Sequence, residues 1–363
     1  MLEAGPPWDY VVVLPRKDPD EEDLFGPALT GSRVRRLGPR QPAGASKPGS
    51  LARSATLGIR LLALSAVLRW HGALRKADLV HANSTRSAIY GALALAGSRK
   101  PFVVHLRDMI TPESLGPLGF RLFTSIALRR ADGVIANSAA TLASARPYTR
   151  DATATTVLPS AAGISTVRSA PAPRPTVRKV GMLARIDHWK GQDLLLKAFA
   201  RSALSEQARL VFAGGAPFGM ESYLAELTSL ADRLGIADTV DFRGHVDDAA
   251  GFIDEMDVCV QCSTRAEPLG QNILQYLSRG AVVIAADEGG PREWINDGRN
   301  GLLVTPRDPD ALAAALSRVG ADARLRASLA RGAAATPGLR DDRDVAQEHA
   351  AFFRLVHARK RGG

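Results

Sequence analysis

The chain has 363 residues, 45% of them hydrophobic and 23% charged, the composition of an ordinary soluble protein with room for two cores. Lysine and arginine outnumber the acids 47 to 37, a formal net charge of +10; such a surface attracts phosphates, nucleic acid or anionic lipid, and a basic surface with no ligand is the plain alternative. Two cysteines exclude a disulfide scaffold, and no apolar run reaches the ~20 residues of a membrane span. The longest, Leu61–Leu68, is bounded by Arg60 and Arg69. The N-terminus lacks the basic, apolar, small-residue order of a secretory signal. The expected location is therefore cytoplasmic.

Met1-Leu2-Glu3-Ala4-Gly5 reads as the end of a helix, and a strand follows at Tyr10–Leu14. A doubly wound domain normally begins with a strand, a Gly-rich turn and a helix. The first domain is thus expected to lack its first strand–helix unit, through a misassigned start, truncation or genuine loss. Gly38–Gly49, rich in Pro, Gly and Ser, reads as an exposed loop. The apolar segment Arg60–Arg75 reads as a core helix, with contact to anionic lipid as the alternative. Strands are predicted at Leu79–Ala82, Phe102–Leu106, Gly133–Ala136 and Thr155–Leu158. A break with Pro171, Pro173 and Pro175 suits a stiff linker.

A second set of strands follows at Lys179–Leu183, Arg209–Ala213, Thr239–Phe242, Val258–Val260, Val282–Ala285 and Gly301–Val304. Helical patterns lie between them at Gln192–Ser202, Ser222–Leu234, Gln271–Ser278 and Pro309–Val319. Such alternation predicts parallel sheets with helices on both faces. The division is a first domain at 1–162, a linker at 163–178 and a second domain at 179–343. A final helix at 344–358 has no following strand and is free to pack back on the first domain.

Cys259 and Cys262 have C-x-x-C spacing, but zinc needs four ligands and there is no second pair. Both fall in or just after a predicted strand, Asp257–Gln261, where odd spacing sends side chains to opposite faces, so a structural role is predicted. Gly214-Gly215-Ala-Pro-Phe-Gly219 does not fit the dinucleotide fingerprint, which argues against a dehydrogenase. The basic residues are not interleaved with an aromatic platform, which argues against a nucleic-acid module.

Three motifs of the second domain suit an activated, phosphate-bearing ligand. In Gly181-Met-Leu-Ala-Arg185-Ile-Asp-His-Trp-Lys190-Gly191 a strand runs into a loop with two cations, which suit a diphosphate: the guanidinium grips oxygens bidentately and the ammonium acts as a point charge. In Glu267-Pro268-Leu269-Gly270-Gln271-Asn272-Ile273-Leu274-Gln275 a proline opens a helix whose free N–H groups and dipole form an anion site. Glu267 precedes that turn, and Gln275 lies about 12 Å further along at ~1.5 Å per residue, so one ligand with a sugar at one end and a ribose at the other could touch both. Asp287-Glu288-Gly289-Gly290-Pro291-Arg292-Glu293 supplies a glycine turn beside them. A solvated basic loop, a capped helix start and a tight structural turn are the respective plain alternatives.

In this order, and together with Phe242-Arg-Gly-His245, Asp257 before a strand and Asn300-Gly-Leu-Leu-Val304, these motifs resemble retaining glycosyltransferase family 4, the glycosyl transferases group 1. The resemblance covers about Val180–Asp310, with weaker echoes across Asp78–Pro159. It implies a GT-B fold: two Rossmann-like doubly wound domains with an interdomain cleft. It further implies that Arg185 and Lys190 would bind the donor diphosphate and stabilise it as a leaving group. Glu267 would contact the transferred sugar, and backbone amides near Leu269, Gly270 and Gln271 would hold sugar or phosphate. Gln275 stands where the family has a ribose-binding glutamate; a glutamine still accepts one hydrogen bond. The turn Gly244-His245-Val246 would lie near the base. The implied reaction is transfer from a UDP- or GDP-type sugar with retained configuration and without a metal or other cofactor. The acceptor is left open as a small molecule, a glycan or a lipid-linked sugar, and peripheral contact with the inner face of an anionic membrane is left open with it.

Family members often place a histidine after a strand of the first domain. Here the segment reads Val104-His105-Leu106-Arg107-Asp108, and His105 and Arg107 are the acceptor-side candidates, with His81 a further one. A structural histidine and a surface ion pair are the alternative. For the chain as a whole, the alternatives are a sugar-nucleotide epimerase or phosphorylase of the same architecture, and a non-catalytic nucleotide-sugar binder.

Overall fold

The computed structural model describes residues 5–6, 8–16, 29, 33–40, 51–167, 174–217 and 219–362. The expected helix end at Met1–Gly5 lies outside them except for Gly5, as do Pro171 and Pro173. The chain forms two compact units. Unit 1 comprises Met1–Pro159 with Asp342–Gly363, and unit 2 comprises Ser160–Asp341.

Unit 1 contains β1 (Val11–Arg16), β2 (Arg33–Arg40), β3 (Val80–Ala82), β4 (Phe102–Leu106), β5 (Gly133–Ala136) and β6 (Ala154–Val157). β1 and β2 form one parallel pair, and β3-β4-β5-β6 form a separate parallel sheet. Among the described residues no strand joins the two sheets. The interior strands β4 and β5 are buried along their whole length, whereas β1 is only half-buried. Strands covered on both faces read as continuous apolar runs, which is why Phe-Val-Val-His-Leu and Gly-Val-Ile-Ala were legible as strands. The exposed loop expected at Gly38–Gly49 is corrected in its first part: Gly38, Pro39 and Arg40 end β2, and 41–50 lie outside the described residues. The pairing of Arg33–Arg40 with the apolar Val11–Arg16 makes a strand of a segment whose basic, Gly- and Pro-containing composition did not suggest one.

The C-terminal helix spans Asp342–Arg361, longer than expected, and belongs to unit 1. Phe352, Phe353 and Val356 are buried against Val103, Ile135, Ala154 and Leu158, each worth ~1.5–3 kcal/mol of apolar burial. Lys360 donates to Asp132 Oδ1 at 2.9 Å, and Arg130 and the Phe102 N–H donate to Oδ2 at 2.9 and 3.0 Å. Burial opposes ionisation of Asp132, but the bonds from Lys360, Arg130 and Phe102 outweigh it and hold the carboxyl below its ordinary range.

Unit 2 contains β7 (Lys179–Leu183), β8 (Arg209–Ala213), β9 (Val240–Phe242), β10 (Val258–Gln261), β11 (Val283–Ala286) and β12 (Leu302–Val304), in the order β12-β11-β10-β7-β8-β9. Every pairing is parallel. Side chains alternate between two cores: Leu210 and Phe212 of β8 face one, Val211 and Ala213 the other. Cys259 and Cys262 are free, buried and divided between the same two cores, and burial pushes both thiols up. Chain order runs outward from β7 through β8 and β9, and outward from β10 through β11 and β12. The order therefore reverses between β7 and β10, and open α/β sheets bind ligands beyond the strand C-termini at such a point.

The boundary falls at Ser160, inside the expected first domain. The stretch expected to be a stiff linker between domains is tied to unit 2 by hydrogen bonds to its backbone. Val167 N–H donates to Ser278 O at 2.8 Å, Arg279 to Ser165 O at 3.0 Å, and Arg326 to Arg174 O and Pro175 O at 3.1 and 2.7 Å. Apart from β2, the strands of both units occur in the expected order, and the pairings are parallel in both.

Candidate functional site

The loops after β7 and β10 carry the motif residues, and the fold locks these loops together. Tyr276 is fully buried in the helix Gln271–Ser278, and a buried phenol needs a partner. Its hydroxyl accepts from the Leu183 N–H at 2.7 Å, and Asn272 Nδ2 donates to Leu183 O at 3.2 Å. The end of β7 is thereby fixed to the helix after β10. On its other side the β7 loop is zipped to its neighbours: Ile186 N–H donates to Gly215 O at 2.8 Å, and Gly214 N–H to Gly244 O at 2.7 Å. Gln192 holds Arg185 O at 2.9 Å. Gly191 has φ +81°, and a Cβ there would lie 2.1 Å from Cys262 O, so only glycine lets the two loops approach this closely.

Lys190 and Glu267, distant in sequence, meet at the switch point. Lys190 Nζ donates to Glu267 Oε1 at 3.1 Å and Oε2 at 2.9 Å, and Ser263 Oγ donates to Oε2 at 2.8 Å. The two charged side chains are only 16% and 10% exposed. A pair this sheltered is held by its mutual attraction and its extra hydrogen bond, because either charge alone would bear a large desolvation cost. Glu267 is anchored through its backbone as well. It bridges to Gly289, and its C=O accepts from Gly290 N–H at 2.8 Å. Gly289 has φ +70°, and a Cβ would stand 2.4 Å from Glu267 O. The Gly-Gly turn of the third motif thus serves to seat Glu267.

Trp189 gathers the cations. Lys190 Nζ lies 3.8 Å from its ring centroid, and the guanidinium carbons of Arg185 and Arg265 lie 6.0 Å away, within cation–π range. Arg185 is half-exposed and pairs with Asp187 at 3.2 Å. Three positive groups around one indole, beside a carboxylate, can neutralise a diphosphate while leaving an acceptor for hydroxyl groups.

The helix Gln271–Ser278 begins at Gly270, with φ +78° and no side-chain cap, so its first turn is not closed off by a capping group. Leu269 is buried. The Gln271 side chain is committed to Ala161 O and Ala162 O at 2.7 and 3.1 Å, which leaves its backbone as the part that can meet a ligand. Gln275 is half-buried about 6 Å further along the axis than Gln271. Gly244-His245-Val246 borders the same edge through the Gly214–Gly244 bond, with His245 exposed and 3.3 Å from Asp247.

The acceptor-side candidates lie in unit 1. Arg107 is exposed and donates to Asn83 Oδ1 at 3.1 Å. His105 is 2% exposed and does not open onto a surface. Its ring lies 5.6 Å from that of His81 and 5.2 Å from that of His349 on the C-terminal helix, with Phe353 5.1 Å from His81. Both ring nitrogens of His105, and Nε2 of His81 and of His349, have no hydrogen-bond partner. Burial, with His349 and Arg107 nearby, pushes His81 down to about 3 and pushes His105 down still further, so both rings are neutral at pH 7. His349 is lowered by burial as well. Among the described residues no group of three or more His, Cys, Asp or Glu is arranged to hold a metal ion.

Trp189, Ser263, Asn272 and Tyr276 had no role in the sequence reading. Trp189 was inside a quoted motif, and a tryptophan between two loop cations is a legible signal for cation–π contact. Asn272 and Tyr276 find their partner at Leu183, far off in sequence and visible only once the chain folds, whereas Ser263 meets Glu267 four residues on in the same loop.

Two family models match the chain: glycosyl transferases group 1 over residues 165–336, and the glycosyl transferase 4-like domain over residues 4–161. A lipopolysaccharide core biosynthesis glycosyltransferase, LpsE, of Rhizobium meliloti is 38% identical over 104 residues, 29% of this chain and 30% of its own. A GDP-mannose-dependent alpha-(1-6)-phosphatidylinositol monomannoside mannosyltransferase of Mycolicibacterium smegmatis is 32% identical over 230 residues, 56% of this chain and 58% of its own. The chain thus spans less than two thirds of the length of these curated relatives. The crystal structure of Anabaena HepE in complex with UDP is 27% identical, with a TM-score of 0.76 over 95% of this chain and 92% of that one. Sucrose-phosphate synthase from Thermosynechococcus elongatus, 21% identical with a TM-score of 0.79 over 98% of this chain and 92% of its own, shares the fold. With both of its units matched in chain order and its motifs seated at the switch point, the chain belongs to the family 4-type glycosyltransferases of GT-B fold.

Proposed function

We propose that the protein transfers a sugar from a nucleoside-diphosphate sugar of UDP or GDP type to an acceptor hydroxyl, with retained configuration and without a metal. The observation that carries this reading is the sheltered Lys190–Glu267 pair with Ser263 on the carboxylate. It is supported by the UDP held by HepE and by the GDP-mannose dependence of the mannosyltransferase relative. Arg185 and Lys190 face the diphosphate and stabilise the charge that builds on it as the glycosidic bond breaks. Fixed cations in a partly dry site need no reorganisation at that moment. Glu267 orients the sugar through its hydroxyl groups, and the first-turn amides after Leu269 and Gly270 take an oxygen of sugar or phosphate. Gln275 accepts one ribose hydroxyl. Positioning and charge stabilisation supply the catalysis.

The test is a panel of UDP- and GDP-sugars scored by thermal shift, since a bound ligand raises the unfolding midpoint by mass action, followed by product analysis with the best donor. Expected is one donor class that stabilises the protein and yields a glycoside of unchanged anomeric configuration. Epimerised donor in the absence of an acceptor would replace transfer by epimerisation. Binding without any turnover would make the protein a nucleotide-sugar binder.

A further inference from the structure

The helix Leu51–Trp70 of unit 1 has an apolar surface on two sides. Leu64 and Leu68 are buried against Val13, Leu37, Leu74 and Tyr90, with Leu61 half-buried beside them. On the opposite side Ile59, Leu62, Val67 and Trp70 are 68%, 61%, 42% and 74% exposed. At 100° per residue these four, with the exposed Ala63 and Ala66 between them, fall in one stripe. Half of the large apolar side chains that are exposed among the described residues therefore stand on one helix face. A contiguous exposed apolar patch of this kind marks an interaction surface.

Charge identifies the partner. Arg60 and Arg69 flank the stripe on its two edges, and Arg75 and Lys76 follow in the next short helix. Arg69 is held in place by bonds to Ala94 O and Ala96 O at 3.3 and 2.7 Å. From Arg33 to Lys76 the sequence contains no aspartate or glutamate. We propose that this face lies in the interface of an anionic lipid bilayer, with Ile59, Leu62, Val67 and Trp70 entering the headgroup–acyl boundary and the flanking arginines meeting lipid phosphates. Apolar side chains on one face with cations at its rim are what such a surface selects. A second copy of the chain fits less well, because pairing the face with itself would bring these cations together with no carboxylate between them. The helix does not cross the bilayer: no helix among the described residues is long and apolar enough.

The experiment is co-sedimentation of the full chain with vesicles of phosphatidylcholine alone and of phosphatidylcholine mixed equally with phosphatidylglycerol, without nucleotide sugar, so that the result does not depend on the proposed activity. Expected is binding to the mixed vesicles only, weakened by salt. The pair Leu62→Glu and Trp70→Glu should lower partitioning by about tenfold or more, whereas Trp70→Phe, which keeps the apolar area, should retain it. Arg60→Gln with Arg75→Gln should lower it severalfold on mixed vesicles. If the glutamate pair unfolds early, Leu62→Ala with Val67→Ala replaces it. Three outcomes overturn the proposal: wild-type protein left in the supernatant with mixed vesicles, equal binding to neutral vesicles, or folded variants that bind as wild type. Concentration-dependent dimers abolished by Leu62→Glu would assign the face to a second copy instead.

Discussion

Among the described residues, two of the clusters of sheltered titratable side chains are treated in opposite ways. In unit 2, Lys190, Glu267 and Ser263 satisfy one another at the C-terminal ends of two parallel strands. In unit 1, the ring of His105 lies tilted against those of His81 and His349, with four ring nitrogens of the three unpartnered. In the first cluster each charged side chain faces an opposite one; in the second, burial keeps the rings neutral. The contrast shows that shelter alone does not mark a reacting group. What separates the two is whether the polar atoms are turned toward partners of their own kind or sealed among aromatic rings.

The comparison can be broken most sharply at the paired cluster. Lys190→Ala and Glu267→Ala should each lower transfer by about a thousandfold or more, given what the loss of one stabilising group costs in a charged transition state. Circular dichroism should show both variants folded, and wild-type turnover in either would remove the pair from the reaction. The histidine cluster makes the next prediction. Rings held neutral in the fold resist protonation, while in the unfolded chain they titrate near 6.5. Stability should therefore fall as pH drops below about 6.5, by up to ~1.4 kcal/mol per pH unit for each histidine, and for His81 this continues to about pH 3. His105→Phe should flatten that slope in thermal unfolding scans between pH 7 and pH 5. An unchanged slope would mean that the cluster is open to water.

Smaller effects sharpen the picture. Tyr276→Phe removes the acceptor of the Leu183 N–H, and should cost about 1–2 kcal/mol in denaturant unfolding. It should also raise KM for the donor, because the two loops that carry Arg185 and Glu267 lose a tie. Gln275→Glu should leave donor affinity unchanged or improve it severalfold, as calorimetry would read. A collapse in affinity would take the ribose away from this position.

The fold was legible wherever strands are covered on both faces. Phe102–Leu106, Gly133–Ala136, Lys179–Leu183 and Arg209–Ala213 occur where the apolar runs place them. Arg33–Arg40 was not legible, because a half-buried strand that is rich in arginine has neither a continuous nor a clean alternating pattern. Arg185, Lys190 and Glu267 stand out in ordered motifs of two separate loops, and the fold brings Lys190 and Glu267 together. The burial of His105 could not be read from the sequence, because it depends on His349, which arrives from more than two hundred residues downstream. The adherence of the Pro-containing stretch to unit 2 was hidden for a similar reason: its ties run from side chains such as Arg279 and Arg326 to bare carbonyls, which leave no trace in composition.

The discontinuity of unit 1 has a consequence for biogenesis. Its sheet and the last helix, Asp342–Arg361, are separated by the whole of unit 2. On the ribosome, Val103, Ile135 and Asp132 emerge long before Phe352, Val356 and Lys360 can cover or pair with them. Unit 2 is therefore complete first, and the earlier half of the polypeptide must wait with an uncovered sheet face, a natural client for a chaperone, until synthesis has nearly ended.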